Sequence, residues 1–318
     1  MNYTYFYKEK YSSPDELSAI GEYDYLIAMF VDSDRVLIPA SKIISKKAIW
    51  IILENDRDIA LTKLPANIIP IFIKQNEDYD CVLKYFCTQD ILSGNICIDS
   101  TGFKIPYLLF IIRCLSSNTT KNIDIFYSEP MQYINDEDTK FSDMFYEVKQ
   151  IEGMSGVHTS DTSNDLLIIA AGYDHSRIID VANNKKSAKK VLLFGFPSIS
   201  PGMFQENIVR AYMAENAIGT DCFKDLDYNI YAPAYDPFVT AQMLKEYIEK
   251  MEKKKGKFSN IYMAPLSTKP QALGIALFFL WEKGWSKNMS IIYPLCHEYN
   301  SNPSVGIARI WQYKFMLP

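Results

Sequence analysis

Two short polar turns each place a lysine just before an apolar helical segment. The residues concerned are Asp99, Thr101, Gly102 and Lys104 in the turn DSTGFK, and Ser267, Thr268 and Lys269 in the turn PLSTK. A hydroxyl and an ammonium at the start of a helix suit a phosphate, because the helix N-terminus offers backbone N–H groups and a positive dipole end. Alternatively, Ser and Thr only cap the helix while Lys is solvated. The recurrence of the turn favours a ligand site.

A third polar turn, GYDHSR, follows the apolar run DLLIIAA. His175 could act as an acid or base near neutral pH with Asp174 orienting it, and Arg177 could grip a phosphate bidentately. The alternative is that Asp174 caps a helix whose first turn exposes His175 and Arg177. The first half of the chain has a counterpart, DSDR, which contains Arg35 but no histidine. The two turns therefore favour shared binding over shared catalysis.

The elements that must position these turns are strands of an α/β sheet. Short apolar runs alternate with helical patterns along the chain, from DYLIAMFV through NICID and KVLLFGF to MSIIYP. Apolar runs that are bounded by polar turns and separated by helices predict parallel strands. In a parallel sheet the strand-to-helix turns lie at the carboxyl edge, where ligands bind. The fold would thus bring the polar turns to comparable positions.

The two halves of the sequence correspond in three places, which indicates an internal duplication. YDYLIAMFVDSDRVL aligns with NDLLIIAAGYDHSRII and brings Arg35 onto Arg177. The two lysine-containing turns align with one another. NIDIFYSEPMQY aligns with NMSIIYPLCHEY and places Tyr127 on Tyr293. Three matches in the same order at a nearly constant offset favour a repeated unit.

We therefore predict two tandem Rossmann-like units with mainly parallel sheets, related by internal duplication. The first unit spans residues 1–150 and includes an N-terminal extension, and the second spans residues 151–318 with a helical insert near 197–228. The boundary is expected in the segment KQIEGMSGVHTSDTSND, which is rich in Gly, Ser and Thr and lacks periodicity.

Composition argues against several classes of function. A net charge of −5 disfavours binding to extended nucleic acid. No apolar run approaches the length that spans a membrane, the N-terminus lacks the apolar core of a signal peptide, and the six cysteines contain no C-x-x-C pair. We expect a cytoplasmic protein with reduced thiols. His158 has no second histidine at ligand spacing and no G-x-G-x-x-G or Walker loop is present, so neither a metal nor a cofactor is expected.

The first lysine-containing turn resembles a known ligand-binding turn. Asp-x-Thr-Gly followed closely by Lys and an apolar helix is similar to the turn of CRISPR-associated Rossmann-fold (CARF) domains, in which two units face each other and bind a cyclic oligonucleotide between their turns. Two such units in one chain resemble the SAVED sensor domains of bacterial antiphage systems. The resemblance implies ligand contacts from both lysine-containing turns. DSTGFK is one residue shorter than the family's usual turn, and PLSTK lacks its Asp and paired glycines.

Three functions follow as expectations. The first is a binding module that holds a nucleotide-type or phosphorylated ligand between two Rossmann-like halves, and that could serve as a cyclic-oligonucleotide sensor in antiphage defence. Any effector would then be a separate protein, because the two units use up the chain. The second is an enzyme acting on a nucleotide or phosphoester, with His175 and Asp174 as catalytic residues. The third is a protein-interaction subunit without a small-molecule ligand.

Overall fold

The structure is a computed structural model that describes residues 2–74, 79–88, 94–117, 122–133, 142–299 and 304–318. The chain divides into two compact units. The first unit comprises Phe6–Phe141 and His297–Pro318, and the second unit comprises Met1–Tyr5 and Ser142–Cys296. The predicted α/β class is confirmed, since each unit contains a sheet of mainly parallel strands.

The secondary-structure elements are numbered in chain order. The strands are β1 (Lys8–Tyr11), β2 (Glu22–Met29), β3 (Ile44–Leu53), β4 (Ile69–Ile73), β5 (Ile96–Asp99), β6 (Asn122–Tyr133), β7 (Ser142–Gln150), β8 (Leu166–Ala170), β9 (Lys189–Gly195), β10 (Asn229–Ala232), β11 (Ile261–Pro265), β12 (Met289–Tyr299) and β13 (Ser304–Met316). The helices are α1 (Asp34–Lys42), α2 (Arg57–Lys63), α3 (Tyr79–Thr88), α4 (Ile105–Ser116), α5 (His175–Asn184), α6 (Met203–Met213), α7 (Glu215–Ile218), α8 (Asp221–Lys224), α9 (Pro237–Lys255) and α10 (Lys269–Trp281). Short 3-10 turns cover Tyr3–Tyr5, Pro14–Ala19, Glu54–Asp56, Leu226–Tyr228 and Gly284–Ser286.

The sheet of the first unit has the strand order β1-β13-β6-β5-β2-β3-β4. The pairs β2–β3, β3–β4, β2–β5 and β5–β6 are parallel, whereas β13 runs antiparallel to both β6 and β1. The chain builds outward from β2 through β3 to β4, and then returns to place β5 and β6 on the other side of β2. The strand order therefore reverses between β2 and β5, which is the position where open α/β sheets bind ligands.

The sheet of the second unit has the strand order β10-β9-β8-β11-β12-β7. The pairs β8–β9, β9–β10, β8–β11 and β11–β12 are parallel. The chain leaves β8 through β9 to β10 and returns to β11 and β12, so the order reverses between β8 and β11. Each unit thus has one reversal between its first and its fourth parallel strand.

The central strands and the helix α10 explain the apolar runs of the sequence. β8 and β11 are buried along their whole length, as expected for parallel strands that are covered on both faces. α10 is buried from Pro270 to Leu280 and packs against α9, so it is apolar around its whole circumference. Among the described residues, the helices fall short of the length and apolarity needed to cross a bilayer.

The two compact units do not coincide with the two halves of the sequence divided at residue 150. One strand from each half joins the sheet of the other unit. β7 precedes the predicted boundary but pairs with β12 in the second unit. β13 lies in the second half of the sequence but pairs with β6 in the first unit, from Ser304 opposite Tyr133 to Met316 opposite Asn122. Alternating patterns reveal a strand but not the sheet that it joins, since pairing partners far apart in sequence leave no local signal.

The helical insert and the predicted boundary segment both belong to the second unit. Residues 197–228 contain α6, α7 and α8, of which α6 and α7 pack against α5. The segment after β7 is anchored along the start of β12, with Ile151 and Met154 buried and most of its other residues exposed. Ile151 N–H donates to the Ile291 carbonyl at 2.9 Å, and Ile291 N–H donates to the Met154 carbonyl at 3.0 Å.

Candidate ligand-binding site

The reversal point of the second unit brings two of the predicted turns into contact. β8 and β11 end level with one another, with Ala170 opposite Pro265. The loops that follow approach so closely that a Cβ at Gly172 would lie 2.1 Å from the carbonyl oxygen of Leu266. Glycine is therefore required at position 172. This contact places the start of α5 beside the start of α10 at the carboxyl edge.

The turn before α10 presents a hydroxyl and an ammonium. Thr268 is the N-cap, accepting from Gln271 N–H at 3.4 Å and donating to the Ala234 carbonyl at 2.5 Å, so its hydroxyl is committed to the fold. Ser267 is partly exposed, and its hydroxyl has no hydrogen-bond partner within the described part of the chain. Lys269 is partly exposed and is the first residue of α10. Ser267 and Lys269 can thus face a bound anion.

The GYDHSR turn has a different internal arrangement from the catalytic one that was predicted. Asp174 caps α5 by accepting from the N–H groups of Ser176 at 3.1 Å and Arg177 at 3.4 Å. Its second oxygen lies 3.7 Å from Nε of buried Arg177. His175 is partly exposed and makes no hydrogen bond to any of the residues that the structure describes. The carboxylate therefore serves the helix and Arg177, and a catalytic role for His175 and Asp174 stays a prediction.

The polar groups of the turn before α4 make hydrogen bonds to backbone N–H groups of the protein. Asp99 accepts from Thr101 N–H at 2.9 Å, and the Thr101 hydroxyl accepts from Ser128 N–H at 2.9 Å. A Cβ at Gly102 would lie 2.1 Å from the carbonyl oxygen of Met29. Asp99, Thr101 and Gly102 are all buried. The residues that carry the family resemblance thus form the turn, rather than a surface that a ligand can reach.

Lys104 lies among carboxylates at the carboxyl edge of the first sheet. Burial raises the pKa of Asp56, the Lys104 ammonium opposes that rise, and the Asp32 carboxylate adds to it. Asp32 is also paired with Lys63 at 2.5 Å. The Asp56 carboxylate offsets part of the charge of Lys104, which disfavours a phosphate at this edge.

Arg35 and Arg177, both predicted to contact the ligand, make hydrogen bonds within the protein, and their role in ligand binding stays a prediction. Arg177 donates to the Tyr293 hydroxyl at 3.0 Å, and its guanidinium lies 5.4 Å from the centre of the Tyr293 ring. Arg35 donates to the Ser304 hydroxyl and the Ser128 carbonyl, each at 2.5 Å.

Each arginine also lies beside the tyrosine that the sequence alignment assigned to it. Burial raises the pKa of the Tyr127 hydroxyl, and the Arg35 guanidinium opposes this rise through its charge and a hydrogen bond. The contact corresponds to that of Arg177 with Tyr293. The recurrence supports the internal duplication, which stays a hypothesis.

Sequence reasoning overlooked two residues near the second reversal point. Gln271 is fully buried in the first turn of α10, where its amide nitrogen donates to the Ala232 carbonyl at 3.4 Å. Its oxygen has no partner among the described residues. Asp236 caps α9 by accepting from the N–H groups of Phe238 and Val239. A glutamine inside an otherwise apolar helix, and the Asp-Pro pair before α9, were the available signals.

Comparisons with known proteins give little further guidance. No protein-family model and no curated protein matches the chain. Among solved structures, the chain is similar to Can2 from Sulfobacillus thermosulfidooxidans in complex with cyclic tetra-adenylate, with 17% sequence identity and a TM-score of 0.26. The similarity covers 38% of this chain and 37% of that chain. A TM-score this low carries no conclusion about fold or ligand.

In the described ranges, no group of three or more His, Cys, Asp or Glu residues could hold a metal ion.

Proposed function

We propose that the protein binds a nucleotide-type or phosphorylated small ligand at the carboxyl edge of the second unit's sheet. The observation that carries the proposal is the contact between the loops after β8 and β11, where Gly172 adjoins Leu266. It sets the start of α10, with Ser267 and Lys269, beside the start of α5. A hydroxyl and an ammonium beside the positive end of a helix dipole together favour a phosphate.

The charges at this edge support an anionic ligand. The carboxylates of Asp174 and Asp236 each accept hydrogen bonds from backbone N–H groups at a helix start. Their negative charge is therefore partly balanced by the helix dipoles. At the first unit's edge, the Asp56 carboxylate lies within electrostatic reach of Lys104, and Asp32 adds negative charge near Asp56. We accordingly expect this negative charge to weaken the phosphate contact of Lys104.

The finer proposal is a cyclic-oligonucleotide sensor in antiphage defence that acts with a separate effector protein. Its support is the resemblance of the two lysine-containing turns to those of CARF domains. A cyclic oligonucleotide carries several phosphates, so it suits a chain in which the same turn occurs twice. A single mononucleotide needs only one of the two edges.

The test is calorimetric titration of the protein with cyclic tetra-adenylate, linear tetra-adenylate, ATP and inorganic phosphate. Losing a charge-assisted hydrogen bond costs about 1.5–3 kcal/mol, so Lys269→Ala should weaken binding by roughly 10- to 100-fold. Ser267→Ala should weaken it less. Lys257→Ala is the matched control, because Lys257 is exposed and precedes β11, whereas Lys269 follows it. Lys257 therefore lies towards the amino edge of the same sheet.

The outcomes separate the two levels of the proposal. Binding of ATP or phosphate that Lys269→Ala weakens supports the site without the sensor function. Binding of the cyclic form alone supports both. If none of the four ligands binds, or if Lys257→Ala weakens binding as much as Lys269→Ala does, the proposed site is wrong. Mass spectrometry of the recovered ligand tests the predicted catalysis, since a hydrolysed product that disappears with His175→Ala would establish turnover.

A second candidate function, that of a protein-interaction subunit, is favoured by the outer face of α6. Val209, Tyr212 and Met213 are each more than half exposed, and Ile208 adjoins them. An exposed apolar face of this kind is typical of protein interfaces. Replacing Val209 and Tyr212 by Ser should abolish co-purification of a stoichiometric partner protein, and under this function none of the four ligands should bind. Failure to recover a stoichiometric partner with the unaltered protein would count against this function.

A further inference from the structure

A histidine at the amino edge of the second unit's sheet connects the segment after β7 to two strands. His158 Nε2 lies 2.5 Å from the Ser290 hydroxyl, and Nδ1 lies 3.1 Å from the side-chain oxygen of Asn260. Its ring stacks on Tyr262 with 4.8 Å between ring centres and 13° between ring planes. Asn260 precedes β11 and Ser290 lies in β12, so His158 bridges both strands. This edge is opposite to the proposed ligand site.

The hydrogen-bond network determines which nitrogen of His158 carries the proton. The Asn260 side-chain nitrogen donates to Asp165 at 2.8 Å and to the Asp161 carbonyl at 3.0 Å, so the Asn260 oxygen faces His158. That oxygen can only accept, hence Nδ1 carries hydrogen. Nε2 is then an acceptor for the Ser290 hydroxyl, which itself accepts from Gly156 N–H at 3.0 Å.

Protonation of Nε2 would break this arrangement. With hydrogen on both ring nitrogens, the ring can no longer accept from Ser290. The Ser290 hydroxyl is fully buried and would face two donors, Gly156 N–H and Nε2–H, while its own hydrogen lost its acceptor. A buried hydroxyl without an acceptor is destabilising, so the charged ring and the closed segment are incompatible.

The charged and titratable groups around His158 act in both directions. Burial lowers the pKa of His158, and the Lys185 ammonium lowers it further. The hydrogen bond with Asn260 and the charge of the Asp165 carboxylate raise the pKa. The Tyr262 ring stacks on the His158 ring. Lys185 Nζ lies 4.2 Å from the centre of the Tyr262 ring. The neutral histidine is favoured in the folded protein.

His158 helps to fasten a segment that follows an exchanged strand. Val157 N–H donates to the Lys287 carbonyl at 2.7 Å, and Thr159 N–H donates to the Asn260 side chain at 2.9 Å. A Cβ at Gly156 would lie 2.2 Å from the Met289 carbonyl, so the segment packs directly on the start of β12. β7 enters this sheet from the first half of the sequence, and residues 151–163 are its connection to β8.

We propose that His158 is an acid-operated latch, whose protonation at Nε2 releases residues 156–163 from β11 and β12. The proton is the ligand of the latch, and the attachment of this segment to the two strands is the state that it controls. The inference is independent of the proposed ligand, since it involves the opposite edge of the sheet.

The direction of the pH dependence follows from linkage. The folded protein holds neutral His158, and an open segment gives it an ordinary pKa of about 6.5. The closed state is fully favoured above about pH 6.5. Below that value, the ratio of open to closed segment rises about tenfold for each pH unit until the folded-state pKa is reached.

The test is hydrogen exchange measured by mass spectrometry from pH 5 to pH 8, corrected for the intrinsic exchange rate. Peptides that contain Gly156, Val157 and Thr159 should lose protection below about pH 6.5, by up to about tenfold per pH unit, until the folded-state pKa of His158 is reached. Peptides from the core strand β8 should keep theirs. In His158→Gln the dependence on pH should vanish, whereas in the control His175→Gln it should persist.

A second variant keeps the test decisive if His158→Gln does not fold. Lys185→Gln removes a cation that lowers the folded-state pKa of His158, so the loss of protection should level off at a higher pH and be smaller in total. Protection of the segment that is independent of pH in the unaltered protein would overturn the latch. An unchanged dependence in His158→Gln, or a larger total loss of protection in Lys185→Gln, would overturn it equally.

Discussion

The reversal points of the two sheets share a frame but differ in what they expose. In each unit, one glycine lets the two central loops meet, at Gly102 in the first unit and at Gly172 in the second. In the first unit the glycine follows the fourth parallel strand, whereas in the second it follows the first. The loop opposite each glycine supplies the carbonyl oxygen that a Cβ would strike.

This difference separates the polar groups that build a turn from those that can meet a ligand. In the first unit, Asp99 and Thr101 are buried and bond to the backbone. In the second unit, Ser267 stands at the surface while Thr268 caps the helix. The turn that better matches the family motif is therefore the more structural one.

The largest expected effect tests whether the two glycines are equivalent. Gly102→Ala and Gly172→Ala should each lower the free energy of unfolding by more than about 2 kcal/mol, because the Cβ would lie 2.1 Å from a backbone carbonyl oxygen. Urea denaturation measures both. Gly21→Ala is the control, since Gly21 has a φ of 111° but open space around it. It should cost about 1–2 kcal/mol from backbone strain alone. If Gly102→Ala matches this control, the two reversal points do not share their close contact.

The next effect compares Arg177, which is buried, with Arg35, which is partly exposed. Arg177→Ala removes a partner from both Asp174 and Tyr293, and should cost about 3 kcal/mol because it leaves a partly buried carboxylate uncompensated. Arg35→Ala removes hydrogen bonds to neutral acceptors and an electrostatic attraction to Glu129, which keeps its ion pair with Arg309, and should cost about 1–2 kcal/mol. Chemical denaturation of both variants gives the difference. Equal costs would mean that the ion pair with Asp174 contributes little.

A milder pair of variants sharpens that comparison. Tyr293→Phe removes the hydroxyl to which Arg177 donates, and should cost about 1 kcal/mol. Tyr127→Phe should cost a similar amount if the Arg35 contact is equivalent. A Tyr127→Phe variant as stable as the unaltered protein would show that the aligned tyrosines are not equivalent, and would weaken the case for duplication.

The fold class could be predicted because it depends on local patterns. Fully buried strands such as LLIIA and IYMAP leave continuous apolar runs in the sequence, and the turns after them are polar. The exchange of β7 and β13 could not be predicted. Both strands pair with segments that are distant in sequence, and a strand pattern does not name its neighbour.

The site could be predicted only as far as the edge of the sheet. Strand order brings Ser267 and Lys269 to the reversal point, as the sequence indicated. Whether a polar group faces solvent or the protein depends on packing that periodicity does not record. Arg177 illustrates this, since its buried contact with Tyr293 reverses the expected exposed role. Gln271 was missed because its environment is set by the distant loop after β10.

The smallest expected effect concerns the acidic surroundings of Lys104, which distinguish the first edge from the second. Burial holds the pKa of Asp56 above its ordinary value, and the Lys104 ammonium opposes this shift. Lys104→Ala should therefore raise the pKa of Asp56 further, and Asp32→Asn should lower it, since the Asp32 charge adds to the rise. The carboxyl carbon of Asp56, followed by NMR during an acid titration, reports both shifts. A folded-state pKa above the unfolded value means that stability is gained as the pH falls through it, so Lys104→Ala should extend this gain to higher pH.

Lys269→Ala should leave the Asp56 titration unchanged. If the pKa of Asp56 is the same in Lys104→Ala as in the unaltered protein, Lys104 does not interact with this carboxylate. The first edge would then suit a phosphate as well as the second.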